Sequence, residues 1–478
     1  MEEAGTYNIA TLLKLNAERF KNDNYIYEKI DEKYEAHTHK EFVRDVHNFA
    51  GYLKSLGLTG KKTGIYAKNS YHYMVADTAV MGYVGICATL SKEWELFDLV
   101  HSIELLKLEA IIYSQDKAEI IIKLKERYPD MVYIPIEEVT SVGTYNLDEE
   151  RPNTDKCCKI IFSSGTTGLP KAVMLSQKNM FASWDNLYKR VPMNHNDVCY
   201  LFLPLSHTYA GICNFLYSLI SGMTIYLCST VSKMFDELQE VKPTVFCAVP
   251  LIFERLYSLC MQNRLEPETV LGGKIRYLFC GGAYFNPEIR AYLKKCGLNL
   301  YEAYGLTETS SLISVEYPNQ TDFNSVGTIF ENLDLEIENP DEKGIGEIIV
   351  KGDNISEGYF NNPELTGKVY DERGYFHTGD LGYVKNNKLY ITGRKKRMIL
   401  LSNGENVYPE DIEKMFHLYD GINKVKVYEK DNKIAAVFFV GEDMNIKGIV
   451  EEINAKLPVY SKIKEYKVMA DSIELRMK

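Results

Sequence analysis

Apolar residues recur at helical spacing through residues 40–57. Phe42, Val43, Val46, Phe49, Ala50, Leu53 and Leu56 share one face, and Gly57 closes the run. A strand is expected near 64–67, helical runs over 71–87 and 93–106, and buried strands at 110–113 and 132–136. Two more short apolar runs, Ile160-Ile161-Phe162 and Ala172-Val173-Met174-Leu175, flank a polar stretch and read as strands. The alternation resumes with strands over 199–203, 223–228, 244–249 and 275–280 and an apolar helical run over 209–222. A further helix has Asn286 as N-cap, Pro287 at its first position and Gly297 just past its end. Strand alternating with helix predicts parallel sheet with covering helices. In such sheets ligands gather at the carboxyl ends of the strands, where Pro204, Gly281-Gly282 and Tyr304-Gly305 sit.

From about Val326 the pattern shortens. Alternating segments at 333–337, 346–351 and 388–392 are separated by turns such as Pro340-Asp341 and Asn386-Asn387. This reads as antiparallel sheet and a small barrel. Beyond the basic run Gly393-Arg394-Lys395-Lys396-Arg397, the chain predicts a helix over 409–417, a hairpin from 425–429 and 433–440, and a helix over 446–457. The expected fold class is α/β. A large N-terminal region, 1–395, carries α/β sheets, covering helices and an antiparallel β part over about 326–395. A small α+β C-terminal lobe, 396–478, follows Lys396.

Composition narrows the class. At 478 residues the chain is too long for one core. The net charge of −11 disfavours a nucleic-acid backbone as the main partner. No run approaches the ~20 apolar residues of a membrane span, and the acidic start Met1-Glu2-Glu3 lacks a signal-peptide core. The 10 cysteines are scattered without a C-x-x-C, which fits free thiols in a reducing cytoplasm.

The polar stretch is Ser163-Ser164-Gly165-Thr166-Thr167-Gly168-Leu169-Pro170-Lys171. Glycines let backbone N–H groups face an anion, the hydroxyls donate further hydrogen bonds, and the lysine adds charge. That chemistry suits a polyphosphate. The spacing is not that of a P-loop, and Pro170 opposes a helix start, so the stretch reads as a loop between antiparallel strands. A polar turn without a ligand is the alternative. Other motifs follow in order: Pro204-Leu205-Ser206-His207, Tyr301 to Glu308, Tyr375-Phe376-His377-Thr378-Gly379-Asp380, Gly393 to Lys396, and Asn403 to Pro409.

In that order the motifs resemble the adenylate-forming superfamily of acyl-CoA synthetases, adenylation domains and luciferases. The likeness runs from about residue 10 to the C-terminus and is greatest to bacterial long-chain fatty acid–CoA ligases. It implies an AMP-forming ligase. A carboxylate attacks the α-phosphorus of ATP, giving acyl-AMP and pyrophosphate, and a thiol of CoA or of a carrier protein's phosphopantetheine then takes the acyl group. The resemblance places Ser163, Ser164, Gly165, Thr166, Thr167, Gly168 and Lys171 around the β- and γ-phosphates. Glu308 would hold Mg²⁺, which prefers one or two carboxylates plus phosphate oxygens, and Thr307 would bond the α-phosphate. Tyr304 and Gly305, with Gly281, Gly282 and Ala283, would receive adenine. Asp380 and Arg394 would reach the ribose. Lys396 would be the hinge of a swinging small lobe, and the loop Gly404-Glu405-Asn406 would face the thiol. His207 would lie beside the acyl pocket. Taken alone, Glu308 is equally a surface acid, Asp380 a turn residue, His207 a structural histidine, and 394–397 a solvated basic face.

Amino-acid-activating members carry an Asp in the motif matching Pro204–His207. Its absence here implies an uncharged acyl substrate, with medium- or long-chain fatty acids ahead of aryl acids. Tyr209, Ala210, Gly211, Ile212, Asn214 and Phe215 would line the pocket. The family's terminal Gly-Lys is missing from Ile473-Glu474-Leu475-Arg476-Met477-Lys478, which leaves Lys478 as the positional candidate for its lysine. Three readings follow: a cytoplasmic CoA ligase, a stand-alone enzyme loading a carrier protein, and an inactive nucleotide-binding homologue.

Overall fold

The computed structural model describes residues 8–145, 154–163, 170–317, 322–401, 406–416, 419, 421–430, 433–441 and 444–470. They form two compact units. One draws on Met1–Phe323, Gly327–Asp334 and Lys351–Phe376, the other on Asn324–Val326, Leu335–Val350 and His377–Lys478.

The first unit contains a six-stranded sheet in the order Val132–Pro135, Ala110–Tyr113, Lys62–Tyr66, Ile86–Thr89, Cys157–Ser163, Lys171–Ser176. All neighbours are parallel except the last pair, which is antiparallel with Ser163 opposite Lys171. The helix His39–Ser55 begins in a capping box: Thr38 Oγ1 accepts from the Glu41 N–H, and Glu41 Oε2 accepts from the Thr38 N–H at 2.8 Å. Beneath the sheet lies an ion pair buried on both sides. Lys159 Nζ donates to Asp77 Oδ1 and Oδ2 at 2.6 and 2.5 Å, and the Cys87 thiol donates to the same carboxylate at 3.0 Å.

A second run of strands in this unit has the order Asn24–Ile30, Thr224–Leu227, Val198–Leu201, Val245–Ala248, Tyr277–Gly281, Leu300–Tyr304, all parallel to their neighbours. Within this run Val198–Leu201, Val245–Ala248 and Tyr277–Gly281 are short and largely buried, as parallel strands covered on both faces are. Tyr200, Phe246, Leu278 and Leu300 pack with Phe253, Leu256 and Leu293 in one buried cluster. Their carboxyl ends carry Pro204, Gly281-Gly282 and Tyr304-Gly305, as expected.

Several boundaries differ from expectation. The run 71–87 is not one helix. It is α-helical over Tyr71–Ala79, π-helical over Val80–Val84, and Cys87 belongs to the strand Ile86–Thr89. The break is Gly85, where a Cβ would lie 2.2 Å from the Lys61 carbonyl oxygen. A short buried run has no polar face to distinguish strand from helix. The run 209–222 is π-helical over Tyr209–Leu216 before the helix Tyr217–Ser221. The helix Ile9–Arg19 and the hairpin Asn24–Ile30/Lys33–Thr38 lie outside the elements expected from the pattern.

In the second unit the strands Asp334–Glu338, Gly346–Lys351, Phe376–Lys385 and Lys388–Arg394 neighbour one another in that order. The first and last are not paired among the described residues, so the small barrel is not confirmed; few short strands joined by hairpins do not supply the number and tilt that closure demands. The helix expected over 409–417 is Pro409–Lys414. Ile422–Lys430 and Lys433–Val440 form the expected hairpin, and Ile463–Ala470 adds a parallel strand to it. Phe416, Val427, Phe438, Val450 and Ile463 make its core.

Candidate active site

The hairpin Cys157–Ser163/Lys171–Ser176 holds the ends of the polar loop in register, with Ser163 paired to Lys171. Residues Ser164, Gly165, Thr166, Thr167 and Gly168 lie outside the described residues. The strand Lys171–Ser176 is flanked by the segment of Tyr359, through a bridge between Val173 and Tyr359 and a bond from the Phe360 N–H to the Ala172 carbonyl at 2.9 Å. That packing brings three candidate groups together. The Ser163 hydroxyl donates to Glu308 Oε1 at 3.2 Å, the Tyr359 hydroxyl donates to the same oxygen at 2.8 Å, and Lys171 Nζ sits 5.3 Å from the centre of the Tyr359 ring. Glu308 is buried, on the short 3₁₀ turn Thr307–Thr309 that follows the strand Leu300–Tyr304. Burial, and then the Glu308 charge, push the Tyr359 phenol far above its ordinary pKa, so it stays a donor.

Gly281 and Ala303 are paired on neighbouring parallel strands, which places Gly282 and Ala283 beside Tyr304 and Gly305. Gly282 has φ +85°, and a Cβ on Gly305 would lie 2.1 Å from the Ser311 carbonyl oxygen. A side chain at Gly305 would clash with backbone, and one at Gly282 would meet no neighbour but would strain the left-handed backbone.

The Pro204–His207 turn is pinned from a distance in sequence. Asn69 donates to the Leu203 carbonyl at 2.8 Å and accepts from the Leu205 N–H at 2.9 Å, while Thr89 donates to the Ser206 carbonyl at 3.1 Å. His207 Nδ1 accepts from the Tyr209 N–H at 3.3 Å, so the neutral ring carries its proton on Nε2. Surrounding protein holds the imidazole below its ordinary pKa, although one face stays open to solvent and limits the effect.

An apolar cavity of about 10 Å³ lies beside the strand ends. Tyr209 and Cys213 of the π-helical run line one side, and Cys247, Phe279 and Ala303 of three parallel strands the other. Nothing lining it is ionised. Burial pushes the Cys213 thiol up to about 12 and the Cys247 thiol well above its ordinary value, so both remain neutral. Of the expected lining residues, Tyr209 faces this cavity.

In the second unit, Asp380 and Arg394 stand opposite each other on antiparallel strands, and Arg394 Nε donates to Asp380 Oδ1 at 2.6 Å. The two residues expected at the ribose thus meet each other. The buried Asp380 also accepts order from its neighbours: its N–H donates to Thr378 Oγ1 at 3.0 Å. Next to it Lys395 Nζ pairs with Glu347 at 2.5 Å. Lys396 sits in the 3₁₀ turn Lys395–Arg397, and Arg397 is held by Glu410 and Glu413 at 3.0 and 2.6 Å. Gly404, Glu405 and Lys478 lie outside the described residues, and Asn406 opens the two-residue strand Asn406–Val407.

The comparisons agree with the motif order. The model of the AMP-binding enzyme family matches residues 13–360, well over half of the chain. The chain belongs to the AMP-binding enzyme family. It is an adenylate-forming enzyme of the AMP-forming acid–thiol ligase type. Among relatives of this AMP-binding enzyme, fatty acyl-CoA synthetase A of Dictyostelium discoideum is 25% identical over 463 residues, covering 82% of this chain and 69% of that protein. The 2-succinylbenzoate–CoA ligase of Staphylococcus epidermidis is 25% identical over 437 residues, covering 90% and 88%. Among solved structures, o-succinylbenzoate CoA synthetase of Bacillus subtilis with its acyl-adenylate has a TM-score of 0.84 at 22% identity, covering 96% of this chain and 94% of that one. ATP-bound MatB of Rhodopseudomonas palustris has 0.85 at 22%, covering 97% and 95%. At these identities the structural likeness shows the fold. No helix among the described residues is long and apolar enough to cross a membrane.

Tyr359, Asn69 and Thr89 escaped the sequence reading. Each is a single polar or aromatic residue in a loop or strand end, and only a tertiary contact gives it meaning.

Proposed function

We propose that this AMP-binding enzyme couples ATP cleavage to the activation of a fatty acid and passes the acyl group to CoA. The observation that carries the choice of acid is the uncharged lining of the cavity beside Gly281 and Ala303. The second carboxylate of a 2-succinylbenzoate would need a cation there, since an unpaired buried charge costs several kcal/mol or more. A hydrocarbon tail needs none.

In this reading the substrate carboxylate oxygen attacks the α-phosphorus and pyrophosphate leaves. Ser163 and Lys171, with the loop between them, hold the departing phosphates. Glu308 fits a Mg²⁺ ion: its Oε1 is occupied by two hydroxyls, and its Oε2 takes no hydrogen bond from the described residues. One buried carboxylate with an open oxygen, completed by phosphate oxygens, is the donor set this ion takes. The ion would neutralise phosphate charge; Tyr359 and Ser163 keep the carboxylate aimed. Thr307 bonds the α-phosphate, Tyr304 stacks on adenine beside Gly281, Gly282, Ala283 and Gly305, and Asp380 accepts from the ribose hydroxyls with Arg394 beside it. His207 borders the acid. A swing about Lys396 then brings Gly404, Glu405 and Asn406 to the thiol, whose sulfur attacks the acyl carbonyl and releases AMP. Lys478 supplies the cation at the attacking carboxylate.

The test is purified protein with ATP, Mg²⁺, a panel of fatty, aryl and amino acids, and either CoA or a phosphopantetheinylated carrier protein. Fatty-acid-dependent AMP with acyl-CoA supports the reading. Thioester only on the carrier protein moves the acceptor. Exchange only with amino acids, or ATP binding without pyrophosphate release, overturns it.

A further inference from the structure

We propose that Asn354 is a positioning residue for the reaction: its amide holds a strained turn in the shape that aims Glu308 at the nucleotide. The inference rests on the placement of Glu308 at Mg²⁺ proposed above. The chain reverses just after Glu308, because Tyr304 and Ser314 face each other on antiparallel strands. It does so without glycine. Ser310 and Ser311 have φ of +48° and +84°, two consecutive left-handed residues that each carry a Cβ. Each such residue is disfavoured by roughly tenfold.

Backbone in that state persists only where its surroundings hold it. Asn354 Nδ2 donates to the Thr309 carbonyl at 3.0 Å and to the Leu312 carbonyl at 2.7 Å, on either side of the left-handed pair. Ser183 Oγ donates to the Ser310 carbonyl at 2.7 Å, and the Ser356 N–H donates to the Glu308 carbonyl at 2.8 Å. Asn354 is fully buried. Its own backbone is fixed on both sides. Asn179, in the first turn of the helix Gln177–Arg190, donates to the Asp353 and Ile355 carbonyls at 2.8 and 2.9 Å. The turn is thus anchored to a helix. Tyr359 aims the Glu308 side chain; Asn354 fixes the backbone that carries it.

Both groups that the amide meets are carbonyls, so two hydrogens are needed on one atom. An amide nitrogen has them. An ionised aspartate has none, and a protonated one has a single hydrogen. Asn354→Asp therefore keeps the shape and leaves at least one buried carbonyl unpaired, roughly tenfold in the equilibrium between the native and a relaxed turn. Asn354→Ala leaves both. Ser310→Gly acts in the opposite sense. The Ser310 hydroxyl has no partner among the described residues, so glycine there removes the left-handed penalty and loses no bond.

The experiment measures ATP affinity by calorimetry in Mg²⁺ and in EDTA, which needs no acid substrate. The ratio of the two affinities is the gain that Mg²⁺ brings, and it reads the aim of Glu308. Thermal melting checks that each variant is folded. Asn354→Asp should lower the gain by roughly tenfold, with the affinity in EDTA within about threefold of wild type. Asn354→Ala should lower it further, and Asn354→Ala with Ser310→Gly should recover about threefold or more of that loss. The double variant, compared with the wild type, carries the test where a single variant does not fold. A purely structural asparagine would lower the melting temperature and leave the gain alone. Folded Asn354 variants with the wild-type gain therefore overturn the assignment, as does a loss that Ser310→Gly leaves untouched. Glu308→Gln with an undiminished gain overturns the placement of Glu308 itself.

Discussion

Removing one hydroxyl from the active-site cluster tests how Glu308 is held. In Tyr359→Phe the ring remains beneath Lys171, whose ammonium lies 5.3 Å from its centre, and the bridge to Val173 is a backbone feature that the substitution leaves intact. Only the 2.8 Å bond to Glu308 Oε1 is lost. A buried hydrogen bond to a charged group contributes about 1.5–3 kcal/mol. Ser163 still donates to that oxygen at 3.2 Å, so the lower half of the range applies, roughly 10- to 40-fold. The effect should fall on the metal. Groups that orient a ligating carboxylate typically govern 10–100-fold in metal affinity. Pyrophosphate release measured against Mg²⁺ concentration should show half-saturation displaced upward by that factor, with the rate at saturating Mg²⁺ within about threefold of wild type. Glu308→Gln should lose the reaction at all Mg²⁺ concentrations. A Tyr359→Phe curve that overlays the wild-type curve would refute the claim that this phenol aims the carboxylate.

Lys159→Met strands the fully buried Asp77 carboxylate and should cost about 3–5 kcal/mol in denaturant unfolding, whereas Lys159→Met with Asp77→Leu should cost less than either single change; equal single and double values would contradict the pairing. His39 is buried against Tyr25, and burial lowers its pKa from 6.5 to about 4. Between those values the unfolded chain binds the extra proton, so stability is complete above about pH 6.5 and is lost as pH falls, by roughly 2 kcal/mol at pH 5; unfolding titrations of His39→Gln should lack that slope. Lys478→Ala should slow acyl-adenylate formation while leaving transfer from supplied acyl-AMP to CoA unchanged, and full adenylate formation in the variant would reject the residue's assignment.

Much of the framework around the candidate site was legible because its strands are marked locally. The hairpin around the phosphate-type loop could be read from two short apolar runs with glycines and hydroxyls between them, and Ser163 does face Lys171. The strand-end positions of Gly281 and Tyr304 followed from the alternation of strand and helix, and the two strands are indeed neighbours. Two of the misread boundaries lie in buried segments. Val80–Val84 and Ile86–Thr89 are apolar on every side, so periodicity could not show where helix gave way to strand. The hairpin at Asn24–Ile30 and Lys33–Thr38 mixes polar and aromatic residues without clean alternation, and parallel pairing of Asn24–Ile30 with Thr224–Leu227 supports it from some 200 positions away.

The order of the motifs thus settled the family by resemblance, and through the family the class of chemistry; taken singly, the hydroxyl- and glycine-rich loop suggested only a polyphosphate, and Glu308, Asp380 and Arg394 stayed open. Contacts between distant segments decided the rest. Tyr359 reaches Glu308 across 51 positions, and Asn69 reaches Leu205 across 136. The Tyr209 hydroxyl reaches the Phe279 carbonyl across 70 positions. Short-range propensity carries no information about such meetings, because their free energy exists only once the sheets have brought the segments together.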